Sequence, residues 1–359
     1  MALIHGGQLQ QVAKQYNIPA ENWLDLSTGI APFSYPVPSI PEKLYQVLPQ
    51  ASNDLQTAAK RYYNADNLLV TNGSQAIIKL LPTLWHEKNP HSTIVYLPEQ
   101  GYKEHALAWQ NSGFRVCWYQ DELPNLSKIE NNAVLVVINP NNPTGQLYPK
   151  PILIKYQEKL ADSNGLFVID EAFIDVVSPS QSMTHTINDN LINTNIKTNV
   201  NTLILRSFGK FFGLAGIRIG FLIACETWIA NFHEHLGPWQ VNGPAQFIAK
   251  TALADYQWHE QQKHKLQLLS AQLRTILIES IPSEYIDKIT GTNLFQTVYF
   301  IKNTEAKSRA ENFYVSLCQQ AIYVRLSDDK QALRFGLAKQ GQLERLKNAL
   351  TLVNLVKSL

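Results

Sequence analysis

The 359-residue chain has little of what marks the simpler functional classes. Its three cysteines, Cys117, Cys225 and Cys318, lie far apart and lack metal-ligand spacing, so neither a disulfide framework nor a zinc site is expected. A formal charge of +2 gives no broad basic face for nucleic acid and no acidic tail, so any anionic ligand must be small and locally held. Apolar runs such as Ala133–Ile138 fall far below the ~20 residues of a membrane helix. Met1–Gln10 also lacks a basic start followed by an apolar stretch. The expected setting is the cytoplasm, with no membrane, metal or nucleic-acid partner. Internal repeats are absent too.

What is there has the length of a two-domain α/β enzyme, with 45% apolar and 17% charged residues. From Leu68 to Ala224, β-rich runs alternate with helical patterns: Leu68–Val70, Thr93–Leu97, Phe114–Tyr119, Ala133–Asn139, Leu166–Asp170, Thr202–Phe208 and Ile217–Ala224. This rhythm predicts an α/β fold whose large domain has a mostly parallel seven-stranded sheet sandwiched by helices. Gly243-Pro244 opens a long helical stretch, after which Phe295–Ile301, Ile322–Leu326 and Ala332–Leu337 suggest a smaller α+β domain. The expected division is an arm over 1–45, a large domain over 46–240 and a small domain over 241–359. Five prolines between Pro32 and Pro49 give the arm an extended character suited to packing on another surface. The Asn- and Thr-crowded stretch His185–Thr202 reads as a solvated surface insertion.

Four segments carry chemistry. Asp170 ends an apolar strand, and ligands of open parallel sheets gather outside the carboxyl ends of strands. A strand-end aspartate also serves as a helix cap, and alone it decides nothing. Lys210 stands in Ser207-Phe208-Gly209-Lys210, and Gly209, Gly213, Gly216 and Gly220 around it suggest backbone packed near a bulky ligand. Ser207 and Arg218 offer a hydroxyl and a planar cation to a phosphate. Asn139-Pro140-Asn141-Asn142-Pro143-Thr144-Gly145 is first a tight turn, from which Asn142 could also donate to a ring oxygen. Gly73, Ser74 and Gln75 open a helical pattern after Leu68–Val70, giving either an anion seat of backbone N–H groups or an ordinary Ser N-cap.

Taken together these motifs resemble, in order and spacing, the fold-type I pyridoxal-phosphate enzymes of the aminotransferase superfamily. The resemblance implies pyridoxal 5'-phosphate as cofactor, with Lys210 its Schiff-base lysine and Asp170 the partner of its pyridinium nitrogen. It further implies that Asn142 bonds the ring hydroxyl oxygen, Tyr102 stacks on the ring, and Gly73, Ser74, Gln75, Ser207 and Arg218 hold the phosphate. Arg334, in Leu333-Arg334-Phe335-Gly336-Leu337, matches the arginine that grips a substrate carboxylate. A homodimer is implied as well.

Phe173 stands where many aminotransferases have tyrosine, and Leu48 stands where they often carry a tyrosine reaching the neighbouring subunit's cofactor. Both features resemble the threonine-phosphate decarboxylase branch of cobalamin biosynthesis. So do His5-Gly6-Gly7, Trp23-Leu24-Asp25-Leu26-Ser27-Thr28-Gly29-Ile30, Tyr102-Lys103-Glu104-His105 and Gly237-Pro238-Trp239. Ala31, where that branch commonly has asparagine, is a departure. The expected reaction is decarboxylation of L-threonine O-3-phosphate to (R)-1-amino-2-propanol O-2-phosphate, the alternative being amino transfer from histidinol phosphate or an aromatic amino acid. A small phosphorylated amino-acid substrate needs its own anion site. Arg325 is the expected centre of that site, with His5, Thr28 and Gly29 of the arm assisting and Asn142 and Arg334 also touching substrate.

Overall fold

The computed structural model describes residues 6–187, 200–302 and 308–356. His5 and positions 188–199 of the Asn- and Thr-rich stretch lie outside them. A two-residue strand β1 (Leu24–Asp25) is followed by β2 (Leu68–Thr71), β3 (Ile94–Pro98), β4 (Arg115–Tyr119), β5 (Val134–Ile138), β6 (Leu166–Asp170), β7 (Thr202–Ser207) and β8 (Gly220–Ile223). Next come β9 (Ile286–Thr292), β10 (Phe295–Phe300), β11 (Ile322–Tyr323), β12 (Arg325–Leu326) and β13 (Ala332–Gly336).

The chain forms two compact units, one of Ser34–Asn142 and Gln146–Trp258, the other of Met1–Phe33, Pro143–Gly145 and His259–Leu359. In the larger unit all seven strands read from the sequence join one sheet in the order β2-β8-β7-β6-β5-β3-β4. Pairing is parallel from β7 through β4, whereas β8 runs antiparallel to both β2 and β7. The central strands β5 and β6 are buried along their whole length, which is why Val134–Ile138 and Leu166–Ile169 are unbroken apolar runs rather than alternating ones. Ile77, Leu81, Trp85, Trp109, Trp228 and Phe232 pack in one cluster with strand residues such as Val95, Val136 and Val168.

The change of rhythm at Gly243-Pro244 marks a helix start, not a unit boundary. Asn242 caps the helix Gly243–Ala254 by accepting from the Ala245 N–H at 2.8 Å, and that helix packs against Asn53–Tyr63 within the larger unit. The division therefore falls after Trp258 rather than near residue 240.

In the smaller unit an antiparallel sheet has the order β12-β13-β10-β9, and β1 pairs parallel with β11. The stretch Ile322–Leu326 is thus two strands in two sheets, not one. The arm is also less extended than its prolines suggest. Its first part forms the helix Leu9–Tyr16, which closes on Asn17 in the left-handed conformation, and then supplies β1. Among the described residues no helix is long and apolar enough to cross a membrane.

Candidate active site

Strands β2, β5, β6 and β7 run in one direction, so Thr71, Ile138, Asp170 and Ser207 end at the same edge of the sheet. Since β8 runs the other way, its first residue, Gly220, and the preceding Arg218 arrive at that edge too. The edge gathers the larger unit's sequence-derived candidates.

Beyond β2 the chain turns at Gly73, whose φ of 71° favours glycine, and enters the fifteen-residue helix Ser74–Lys88. Gly73 is the cap and Ser74 the first helical residue, so the alternative of a serine cap does not hold. No side chain caps this helix; the positive end of its dipole is met by backbone alone. Arg218, itself left-handed at φ 57°, lays its guanidinium so close that a Cβ on Gly73 would lie 2.9 Å from Nη2. A cation facing the N-terminus of a long helix is unfavourable until an anion lies between them. That juxtaposition fits a phosphate, and the half-buried Ser207 lies at the end of neighbouring β7.

Glycines shape this seat differently from the sequence expectation. A Cβ on Gly220 would stand 2.6 Å from the Ser74 nitrogen, and one on Gly209 2.6 Å from the Ala215 Cα. Both make room for protein backbone rather than for a ligand. A Cβ on Gly216 would meet nothing within 4 Å.

Lys210 sits in a single helical turn, Phe208–Phe211, that aromatic packing holds rigid. Phe208 stacks on Phe212 with centroids 4.1 Å apart, and Phe212 stacks in turn on Trp258 at 5.6 Å. Phe208, Phe211 and Phe212 are fully buried, whereas the lysine is half-buried. Its Nζ lies 5.6 Å from the centre of the Phe173 ring, so the position where tyrosine is common in aminotransferases offers Lys210 an aromatic face and no hydroxyl.

Asp170 is buried at 3% exposure, and its carboxylate is held from two sides. Oδ1 accepts the Ala172 N–H at 3.1 Å, and Oδ2 lies 3.0 Å from Nε2 of the buried His105. The His105 ring lies nearly perpendicular to that of Tyr102, with centroids 6.3 Å apart, and Tyr102 is the N-cap of the helix Lys103–Asn111. Burial, then the charges of Glu104 and Asp170, push the Tyr102 phenol up to about 12, so it stays protonated. The Tyr102 hydroxyl donates to Gln75 Oε1 at 3.0 Å, and Gln75 Nε2 donates to Glu104 Oε2 at 2.5 Å.

The asparagine-rich turn divides its labour. Asn139 exchanges two hydrogen bonds with Tyr148, at 2.8 and 3.1 Å, and Asn141 Nδ2 donates to the Gln100 carbonyl at 2.6 Å. These two side chains brace the loop that presents the half-buried Asn142.

Sequence reasoning placed His105 and Arg206 only within stretches that carry the resemblance, and missed the pairing of His105 with Asp170 and of Arg206 with two carboxylates. Arg206 is buried beside Glu171 (3.1 Å) and Asp175, while Tyr62 donates to Asp175 at 3.0 Å. The cluster joins the segment after β6 to β7, the strands that carry Asp170 and Ser207. Burial raises the Glu171 carboxyl above its ordinary range despite Arg206.

In the smaller unit Arg325 and Arg334 are direct cross-strand partners on β12 and β13, so their side chains share a face. Arg334 is 8% exposed and donates from Nη2 to the Ser27 carbonyl at 2.6 Å. Burial, followed by the charge of Arg325, lowers its pKa to about 10. Arg325 is more accessible and pairs with Asp328 at 2.9 Å. Ser27 donates through N–H and hydroxyl to Asp25 Oδ1, at 2.9 and 2.7 Å, fixing the strand that leads into Thr28 and Gly29. Thr28 is half-buried and Gly29 buried.

Residues 41–350 match the model of the family described as aminotransferase class I and II. A threonine-phosphate decarboxylase of Pseudomonas aeruginosa is 35% identical over 351 residues, covering 97% of each chain. A second, from Sinorhizobium sp., is 32% identical over 349 residues and 96% of each. The solved histidinol-phosphate aminotransferase of Sinorhizobium meliloti in complex with pyridoxal-5'-phosphate superposes with a TM-score of 0.74 at 19% identity, over 98% of this chain and 95% of that one. The last likeness speaks for the fold alone. The chain belongs to the class I and II aminotransferase family, with its fold-type I architecture and its pyridoxal 5'-phosphate cofactor.

Proposed function

We propose that the protein decarboxylates L-threonine O-3-phosphate to (R)-1-amino-2-propanol O-2-phosphate and CO₂, as a cytoplasmic step of cobalamin biosynthesis. The observation that carries this reading is the cross-strand pair Arg325 and Arg334. Like charges directly opposite on adjacent strands are destabilising; Asp328 offsets Arg325 alone, and two substrate anions would offset both arginines. Threonine phosphate brings two anionic groups, a carboxylate and a phosphate, whereas histidinol phosphate has a phosphate and no carboxylate. The two curated relatives named above support the same reading.

Bound in the larger unit, pyridoxal phosphate supplies an electron sink for the bond broken at the substrate's α-carbon. The N–H groups of Ser74 and Gln75, with Gly73, Ser207 and Arg218, would hold its phosphate. Asp170, steadied by His105, would pair with the pyridinium nitrogen, Asn142 would bond the ring hydroxyl oxygen, and Tyr102 would cover the ring. Lys210 would be the amine that holds the cofactor covalently and, with the substrate amine in its place, would carry the proton returned to the α-carbon, directly or through water. Arg334 takes the carboxylate and Arg325 the substrate phosphate, with Thr28 and Gly29 alongside. A substrate held by both anions would be fixed in orientation, and orientation is what selects the α-carbon bond that breaks. Phe173 fits this assignment because it withholds a hydroxyl that aminotransferases commonly place there. We assign the working form as a homodimer, on the exposure of Tyr45 (65%), Leu48 (63%) and Trp239 (59%).

The competing reading, amino transfer from histidinol phosphate or an aromatic amino acid, shares every cofactor residue and has the family's general activity behind it. Purified holoenzyme incubated with threonine phosphate and no keto acid separates the two. Release of CO₂ with the cofactor remaining in its aldehyde form supports decarboxylation. No CO₂, together with ready conversion to the pyridoxamine form by histidinol phosphate, sinks it.

A further inference from the structure

We infer that Gln75 is a positioning residue for Tyr102, with its amide oriented by Glu104, and that its side chain does not serve as a phosphate ligand. The inference rests on the reading that Tyr102 covers the cofactor ring. The chain of contacts runs in one direction. The Glu104 carboxylate can only accept, so the Gln75 group 2.5 Å away must be the amide nitrogen, Nε2. The amide oxygen, Oε1, is thereby turned toward Tyr102, and the phenol 3.0 Å away must donate to it. One charged residue therefore settles the orientation of the amide, and the amide settles that of the hydroxyl.

Two consequences follow for the site. The Tyr102 proton is committed sideways, away from the ring face, so this phenol presents its aromatic surface as a neutral stacking group rather than as an acid. The Gln75 side chain, engaged at both ends, leaves only its backbone N–H, in the first turn of the helix Ser74–Lys88, for the anion seat. Glu104 also earns a reason for lying so near a phosphate seat, where a carboxylate is otherwise unfavourable. It sits in the first turn of the helix Lys103–Asn111, where a negative charge is stabilised by the dipole, and it aligns the amide from there.

The test uses full-length holoenzyme and two readouts besides turnover: the visible circular dichroism of the bound cofactor, which senses ring orientation, and the dissociation constant of pyridoxal phosphate from the apoenzyme. Gln75→Met and Tyr102→Phe are expected to reduce the dichroic band to a similar extent, and the double variant to reduce it no further. Gln75→Met is expected to change the cofactor Kd by less than about threefold, as for a neutral hydrogen bond one step removed. Glu104→Gln, which allows the amide to flip, is expected to give a partial reduction. A rise of about tenfold or more in Kd for Gln75→Met, the loss expected for a hydrogen bond to a charged group, would overturn the inference and make the side chain a phosphate ligand. An unchanged band in Gln75→Met beside a changed one in Tyr102→Ala overturns the tether while leaving the stacking role standing. An unchanged band in Tyr102→Ala removes the stacking role itself, and the tether with it.

Discussion

His105 Nε2 stands 3.0 Å from Asp170 Oδ2, and both side chains are buried. A hydrogen bond to a charged group contributes about 1.5–3 kcal/mol. Replacing the imidazole by an apolar ring leaves the carboxylate, among the described residues, the Ala172 N–H to orient it. His105→Phe is therefore expected to lower kcat/KM roughly ten- to a hundredfold, with protein that still binds pyridoxal phosphate. Steady-state kinetics beside a cofactor titration check both halves.

Lys210 sits in a helical turn whose phenylalanines, Phe208 and Phe211, are fully buried. Lys210→Ala should keep the melting temperature while abolishing covalent capture. After borohydride reduction, mass spectrometry is expected to find the cofactor mass on the peptide containing Lys210 in the wild type and on no peptide of the variant. Turnover should fall on the order of a thousandfold or more. A reduced cofactor recovered on another lysine would reassign the role.

Arg334 is a buried cation with a second arginine beside it. Its pKa, lowered to about 10 from an ordinary 12.5, corresponds to a cost of roughly 3 kcal/mol for keeping it charged. The folded value lies below the unfolded one, so this cost is fully present below pH 10 and is relieved as pH rises from there towards 12.5. Arg334→Met, although it loses the bond to the Ser27 carbonyl, is expected to melt no lower than the wild type between pH 6 and 9, by an offset that does not vary across that range. Its KM for threonine phosphate should rise steeply. Thermal melts with and without substrate measure the two effects separately, and a large drop in the melting temperature would make Arg334 structural.

Gly220→Ala would drive a methyl group against the Ser74 nitrogen. Overpacking of this kind costs about 1–3 kcal/mol, and here the strain falls on the phosphate seat. The variant is expected to melt lower and to bind pyridoxal phosphate at least about tenfold more weakly. Gly216→Ala, with open space around it, should do neither. Equal behaviour of the two variants would count against the packing argument.

Much of this was legible because the sheet and its site follow local rules. The seven strands could be read from apolar runs, and Asp170 and Ser207 from their place at strand ends. Contacts between residues distant in sequence were not legible. Nothing local to Gly220 announces that its missing Cβ admits the Ser74 backbone, and nothing local to Arg206 announces two buried carboxylates. The boundary was not legible, because a proline-led helix start looks the same whether or not a unit begins there. His105 stood in a quoted motif, yet its pairing with Asp170 depends on how the helix Lys103–Asn111 lies on the sheet. The split of Ile322–Leu326 likewise depends on partners rather than on its own residues.

The antiparallel strand β8 has a kinetic consequence. It enters between β2 and β7, and only then does Arg218 come to face the helix that begins at Ser74. Since loop closure over so long a stretch of chain is slow compared with local helix formation, the anion seat is among the last features the folding chain can complete. Cofactor capture during refolding should therefore lag the recovery of secondary structure, so that pyridoxal phosphate binds and stabilises only chains whose central sheet is already whole.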